Sequence, residues 1–180
     1  MLPHDPTLGR IQIAELTADS SAADLAQART LLLEYGRFVI AQPGAARFCF
    51  GSLEKEAADL PHSYLSQGGG SLLAFVDAQP AGFVAWRTLP ATVAPDAWEL
   101  KRLWVRPAAR GLQLGRALTQ SVLDRALTGR RSALYLDTAP ASMAAAHKLY
   151  LQMGFVPCAP YNDNPVEGIT FLVKKLAESH

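Results

Sequence analysis

The stretch Val105-Arg106-Pro107-Ala108-Ala109-Arg110-Gly111-Leu112-Gln113-Leu114-Gly115-Arg116-Ala117-Leu118 joins an apolar run to a run with helical periodicity. It predicts a strand, a short loop and the start of a helix. At such a junction the first N–H groups of the helix have no partner within it, and the helix dipole adds to their attraction for an anion. Gly111 and Gly115 let the main chain approach a ligand, while Arg110 and Arg116 add positive charge. The stretch predicts either a phosphate site or merely a tight turn.

The elements around this stretch indicate helices packed on a sheet. The apolar runs at 71–76, 80–89 and 97–105 predict consecutive strands, with a hairpin turn at Asp77-Ala78-Gln79. After the stretch, strands and helices alternate, an order that requires helices packed on a sheet. We expect helices at 115–128 and 143–153, and strands at 133–138, near Phe155 and at 169–173.

The N-terminal part of the chain is expected to be mainly helical. Alternating residues at 10–16 predict a first strand, and apolar residues three or four positions apart predict a helix at 22–38. A shorter helix is expected at 53–59. Pro61 and the glycines at 68–70 then predict a break in regular structure.

Composition limits the function classes. The chain has 180 residues, of which 49% are apolar, so we expect one domain spanning 1–180. Its 17 Lys and Arg nearly cancel 16 Asp and Glu, which argues against a nucleic-acid partner. Cys49 and Cys158 are far apart and the four histidines are not paired, so no metal site is expected. The absence of a secretory or membrane-spanning pattern predicts a cytoplasmic protein without a membrane partner. We expect the protein to be either a monomer or a homodimer.

The phosphate-site stretch resembles the acetyl-CoA pyrophosphate loop of the GNAT superfamily. Arg110 and Gly115 match the outer positions of that pattern, whereas Gln113 replaces its central glycine. Downstream, Ala146-His147-Lys148-Leu149-Tyr150-Leu151-Gln152-Met153-Gly154-Phe155 resembles a second superfamily segment, and Met143 stands where many members have Asn. The resemblance covers about 71–176, and it extends to a bacterial subgroup of unknown substrate.

The resemblance implies an α/β (α+β) fold with a central mixed, mostly antiparallel sheet of about six or seven strands. Helices would cover both faces, and the sheet would be splayed at the acetyl-CoA loop. It also implies acetyl-CoA as cosubstrate. The residues expected to bind this cosubstrate are Leu103, Trp104, Val105, Arg110, Gly111, Leu112, Gln113, Leu114, Gly115, Arg116, Ala117, Thr138, Met143, Ala146 and Tyr150.

Two catalytic roles follow from the same resemblance. Tyr150 matches a tyrosine that commonly protonates the CoA sulfur, although its helical spacing alone indicates a core aromatic. Glu99 lies where several relatives have a carboxylate that takes the proton of the amine, directly or through water. Its alternative role is to pair with Lys101 or a neighbouring arginine across the sheet.

The acceptor is expected to be an amine of a small molecule or peptide. Glu54 and Glu56, if they faced the cleft, would favour a cationic acceptor, but they can equally be the solvated face of a short helix. The polar and aromatic candidates for acceptor binding are Phe48, Cys49, Glu54, Tyr64, Asp137, Tyr161 and Asn164, together with Glu56 and Asn162.

Three functions fit these patterns to different extents. The leading one is N-acetyltransferase activity by direct attack of the amine on acetyl-CoA. Gln113 and Met143 instead favour a non-catalytic CoA-binding sensor or interaction module with the same fold. A nucleotide phosphate site is disfavoured, because no Gly-Lys-Ser or Gly-Lys-Thr follows the glycines.

Overall fold

The computed structural model describes residues 10–45, 50–164 and 166–176. Its strands are β1 (Ile11–Glu15), β2 (Gly70–Val76), β3 (Gln79–Thr88), β4 (Trp98–Val105), β5 (Ala133–Thr138), β6 (Val156–Pro157) and β7 (Thr170–Lys175). Its α-helices are α1 (Ala22–Ile40), α2 (Phe50–Ala58), α3 (His62–Leu65), α4 (Leu114–Thr128) and α5 (Ala144–Gln152), and a 3-10 turn covers Pro107–Ala109. None of the helices in these residues is long and apolar enough to cross a bilayer.

The strands form one sheet in the order β1-β2-β3-β4-β5-β7-β6. All neighbouring strands are antiparallel except β4 and β5, which are parallel. The prediction of a mixed, mostly antiparallel sheet of six or seven strands is therefore confirmed. The β2–β3 hairpin turns through Asp77 and Ala78, whose φ angles of 49° and 63° are typical of a type I′ turn.

The short helix α3 was not predicted. The sequence indicated a break from Pro61 to the glycines at 68–70, yet His62–Leu65 is helical. Proline is compatible with a position just before or at the first turn of a helix, where its missing N–H would have no partner in any case. Turns at residues 59–61 and non-helical residues at 66–69 flank this short helix, and β2 follows directly.

Apolar side chains fill both faces of the sheet. On one face, Leu114, Leu118 and Val122 of α4 pack in a cluster that includes Leu134 of β5 and Tyr150 of α5. The second cluster, formed mainly by α1, α2 and the opposite face of β2 and β3, includes Leu31, Leu32, Leu53, Leu73 and Phe83. The residues that project from the middle of the sheet are thus enclosed by helices on both sides.

A bulge in β4 breaks the regular pairing with β3. Phe83 pairs with Trp104 and Ala85 with Lys101, so three residue steps in β4 face two in β3. Arg102 lies within this bulge and has a φ of 61°. An extra residue of this kind bends a strand and increases its local twist.

The strand β4 separates from β5 just before the bulge. The two strands pair only at Trp98 with Leu134 and at Glu99 with Tyr135. Along residues 100–105, no described strand covers the β5-facing edge of β4. The expected splay of the sheet is present, and it leaves main-chain groups of β4 available to a ligand.

The contact between α1 and α2 generates a stability prediction. A Cβ on Gly36 of α1 would clash with the side chain of Leu53 and lie 2.6 Å from Phe50 of α2. Alanine gains about 0.5–1 kcal/mol of helix stability over glycine, whereas overpacking costs roughly 1–3 kcal/mol. We therefore expect Gly36→Ala to lower the free energy of unfolding, measured by urea denaturation.

Gly51 of α2 is the matched control, because a Cβ there would meet no atom within 4 Å. Gly51→Ala should leave the free energy of unfolding unchanged or raise it. Equal effects of the two substitutions would show that the close contact between α1 and α2 does not limit stability.

Candidate functional site

A cavity of about 440 Å³ opens where β4 leaves β5. It lies between the end of β4 and the first turns of α4 and α5. Eleven of the residues predicted to bind acetyl-CoA line it: Leu103, Trp104, Val105, Arg110, Gly111, Gln113, Leu114, Gly115, Arg116, Met143 and Ala146. The remaining lining residues were not predicted as ligands and are Tyr35, Phe38, Ala109, Ser142, Ala144, Ala145 and Leu149.

The main-chain amides at the start of α4 are available to a ligand. The N–H of Ala109 and that of Arg110 donate to carbonyls within the 3-10 turn, and the first helical bond runs from Ala117 N to Gln113 O. Between these bonds, the six amides of residues 111–116 donate to no acceptor in the part of the chain that the structure describes. Six unpaired donors at a helix N-terminus can bind a diphosphate.

Left-handed backbone conformations shape this loop. Gly111 has a φ of 86°, and Gln113, directly before α4, has a φ of 60° and a ψ of 16°. Glycine adopts such angles without steric cost, whereas other L-residues do so at a penalty. Gln113 therefore preserves the loop conformation that the missing glycine would favour, at the expense of backbone strain.

The arginines of the loop differ in how firmly other groups of the protein bind them. Arg106 is held by Glu34 at 2.7 Å and by the carbonyl of Pro80 at 2.8 Å. Arg110 is exposed and lies 5.4 Å from the ring centroid of Trp104, and Arg116 donates to Gln152 at 3.2 Å. Arg106 is thus structural, while Arg110 and Arg116 can reorient toward an anion beside the free amides.

A second helix N-terminus faces the same cavity. Met143 precedes α5 and provides no side-chain cap, and the amides of residues 144–146 have no acceptor among the described residues. A Cβ on Gly115 would make only ordinary contacts, 3.4 Å from Leu149 and 3.9 Å from Val105. Both helix dipoles therefore favour a negatively charged ligand in this cavity.

Tyr150 is buried beside the cavity, with 4% of its surface exposed. Its ring packs against Phe155 with centroids 5.7 Å apart, and its hydroxyl makes no hydrogen bond with the described residues. Burial is the largest cause that raises the pKa of Tyr150, and negative charge on Tyr35 and Asp137 raises it further. At neutral pH the hydroxyl consequently stays protonated and can serve as a proton donor.

Glu99 lies on the face of the sheet opposite to Tyr150 and is 1% exposed. Both of its carboxylate oxygens accept hydrogen bonds. One carboxylate oxygen accepts from Arg87 at 2.6 Å, and the other accepts from Tyr161 at 3.1 Å and Asn162 at 3.2 Å. Asn162 also donates to Asp137 at 2.9 Å, so one amide bridges two carboxylates. The pairing with an arginine, anticipated as the alternative role of Glu99, is present.

Lys101 projects into this polar cluster, with 19% of its side chain exposed. Its ammonium lies 3.8 Å from Glu99 and forms no hydrogen bond with the described residues. Burial lowers the pKa of Lys101, an effect that Glu99 and Asp137 oppose. The neighbouring Arg102 is paired at 3.2 Å with Glu56, which removes the negative charge expected to favour a cationic acceptor.

Several predicted residues lie away from these groups. Leu112, Ala117, Thr138 and Tyr150 do not line the cavity, although Tyr150 adjoins it. Glu54 is exposed to solvent, Tyr64 is buried in the second core cluster, and Asn164 accepts from the amide of Val166 in a turn. The predicted acceptor residues Phe48 and Cys49 lie outside the described residues.

The sequence patterns did not reveal which residues of α1 support the site. Glu34 of α1 holds Trp104 by a hydrogen bond of 3.1 Å and also pairs with Arg106. Tyr35 lines the cavity and lies 5.7 Å beneath the Arg102 guanidinium. The helical periodicity of α1 was visible, but no local signal shows which residues of β4 its polar positions would meet.

The loop geometry predicts opposite effects of two substitutions. Gly111→Ala should lower the free energy of unfolding by about 1–2 kcal/mol, because alanine at a positive φ is strained. Its Cβ would meet no atom within 4 Å, so no steric clash adds to this strain. Gln113→Gly relieves strain of the same kind, so it should leave that free energy unchanged or increase it. Urea denaturation measures both, and a destabilising Gln113→Gly would contradict the assigned loop conformation.

Comparison with known sequences gives partial matches. The chain is 35% identical over 78 residues to an uncharacterised N-acetyltransferase of Schizosaccharomyces pombe, covering 43% of this chain and 47% of that protein. It is 29% identical over 120 residues to the N-acetylaspartate synthetase of Xenopus tropicalis, covering 66% of this chain and 43% of that protein. The matches therefore span less than half the length of these relatives.

Solved structures share the fold over most of the chain. The PaiA N-acetyltransferase of Thermoplasma acidophilum, solved in complex with coenzyme A, superposes with a TM-score of 0.65 at 17% identity and covers 93% of this chain and 99% of its own. The model of the acetyltransferase (GNAT) family matches residues 41–155, which include α5 and the loop whose amides at 111–116 are available. The chain therefore belongs to the GNAT acetyltransferase family.

Proposed function

We propose that this protein is an acetyl-CoA-dependent N-acetyltransferase that acts on a primary amine of a small molecule or peptide. The observation that carries the proposal is the run of six unpaired amides at residues 111–116, at the entrance of the cavity. Family membership supports the same reaction. In this proposal residues 1–180 act as one domain in the cytoplasm, without a nucleic-acid or membrane partner.

The site fits the cosubstrate in shape and charge. The free amides, with Arg110 and Arg116 beside them, would hold the diphosphate. The uncovered edge of β4 at Leu103 and Val105 would pair with the pantetheine arm as an added strand does. Acetyl-CoA supplies the activated acetyl group, and the main chain near Val105 would orient its carbonyl.

Tyr150 is proposed as the proton donor to the departing thiolate. Its hydroxyl is buried beside the cavity and makes no hydrogen bond with the described residues, and burial keeps it protonated. Since no described group holds this hydroxyl, it is available to donate a hydrogen bond to the departing sulfur.

Proton removal from the amine is proposed for the bridged carboxylates on the other face. Both oxygens of Glu99 already accept hydrogen bonds, so Glu99 would act only by exchanging one of these bonds. Asp137 is partly exposed and accepts one bond from Asn162, which leaves its other oxygen available. A proton accepted by either carboxylate would remain on the pair of carboxylates that Asn162 bridges.

The function is tested by measuring CoA thiol release with acetyl-CoA and a panel of primary amines. We expect release that depends on the amine. Stabilisation of the protein by acetyl-CoA without amine-dependent release would contradict the enzyme and favour a CoA-binding sensor. If acetyl-CoA neither stabilises the protein nor releases CoA, both the enzyme and the CoA-binding sensor are contradicted.

Removing the Tyr150 hydroxyl separates catalysis from binding. Tyr150→Phe should lower kcat about 100-fold or more, as expected for the loss of general acid catalysis, while it changes the Kd of acetyl-CoA only slightly. Phenylalanine keeps the ring contact with Phe155. Met153→Leu, directly after the same helix and in the same core cluster but outside the cavity lining, is the control for packing. An unchanged kcat in Tyr150→Phe would assign Tyr150 to packing alone.

A further inference from the structure

Two opposite charges flank the gap between the separating strands. Continuing the parallel register from Glu99 opposite Tyr135 brings Lys101 of β4 level with Asp137 of β5. Residues two apart on a strand project from the same face, so both side chains lie on the face of Glu99. The strands no longer pair at this level.

Neither of these two charges is held in a hydrogen-bonded ion pair among the described residues. Lys101 lies 3.8 Å from Glu99, whose oxygens are already bonded to Arg87, Tyr161 and Asn162, and it forms no hydrogen bond within the described part of the chain. Among the described residues, Asp137 accepts a hydrogen bond only from the neutral amide of Asn162. Lys101 and Asp137 also form no ion pair with each other among the described residues.

The remaining charges of the cluster are satisfied internally. Arg87 pairs with Glu99 at 2.6 Å, and Arg102 pairs with Glu56 at 3.2 Å. Lys101 and Asp137 are therefore left as one positive and one negative pole. A buried charge is stabilised only when it is paired and hydrogen-bonded, so a ligand with complementary poles would complete both.

We infer that the acceptor is a free α-amino acid, whose carboxylate binds Lys101 while its amine lies at Asp137 beside the cavity. The inference rests on the proposed acetyl transfer and specifies its substrate class. An amino acid carries both charges two bonds apart and has no net charge in its backbone. A diamine would bring a second cation toward Lys101, Arg87 and Arg102, and a peptide would place an uncharged amide at Lys101.

The orientation also suits the reaction. Asp137 belongs to the carboxylate group bridged by Asn162, so an amine held there would be beside its proton acceptor. Tyr35 borders both regions, because it lines the cavity and contacts Arg102 of the polar cluster. An amine at Asp137 would therefore lie in a polar cluster that adjoins the cavity.

The test compares L-amino acids with their α-amides as acceptors. An amide retains the amine and side chain but lacks the carboxylate, and its less basic amine is more often in the reactive neutral form. We nevertheless expect the best amino acid to exceed its own amide at least about 10-fold in kcat/KM, as is usual when a charged hydrogen bond is lost. Lys101→Met should abolish this preference, and Lys101→Arg should restore part of it.

The outcomes separate this inference from the enzyme assignment. Equal use of acid and amide, or an equal loss for both in Lys101→Met with unchanged acetyl-CoA affinity, would overturn the amino-acid assignment while leaving the acetyltransferase intact. Acetylation of simple amines or peptides but of no amino acid would do the same. Failure of every amine to release CoA would overturn the acetyltransferase, and the inference with it.

Discussion

The separation of β4 from β5 is the constraint on which the site depends. Two paired positions hold the strands together, and the bulge around Arg102 then bends β4 away. The opening exposes the edge of β4 to the cavity on one side and places Lys101 and Asp137 across a gap on the other. A regular sheet would have used those main-chain groups for strand pairing and closed both regions.

The two helix starts complete what the separated strands begin. Free amides at 111–116 and 144–146 meet at the cavity, and the apolar faces of α4 and α5 fix these ends by packing on the sheet. The other face is built differently, from ion pairs and hydrogen bonds centred on the buried Glu99. The anionic cosubstrate and the amine would thus approach the reacting atoms from regions of different chemistry.

Local sequence patterns predicted the elements and the loop, because hydrophobic periodicity, glycines and helix starts are properties of neighbouring residues. The helix expected at 115–128 begins at Leu114, and the strand expected at 133–138 has those bounds. The polar face could not be predicted in this way. Many of its contacts join residues far apart in the sequence, such as Glu56 with Arg102, 46 positions apart, and Glu34 with Arg106, 72 positions apart.

Cosubstrate binding requires the amides of residues 111–116 to contact the diphosphate of CoA, and amide NMR of the labelled protein measures this directly. Titration with CoA should shift these six resonances strongly. Pantetheine has the same arm but no diphosphate, so it should shift the resonances of Leu103 and Val105 while leaving the six largely unchanged. Identical shifts with both compounds, or no response of the six amides to CoA, would contradict the assignment.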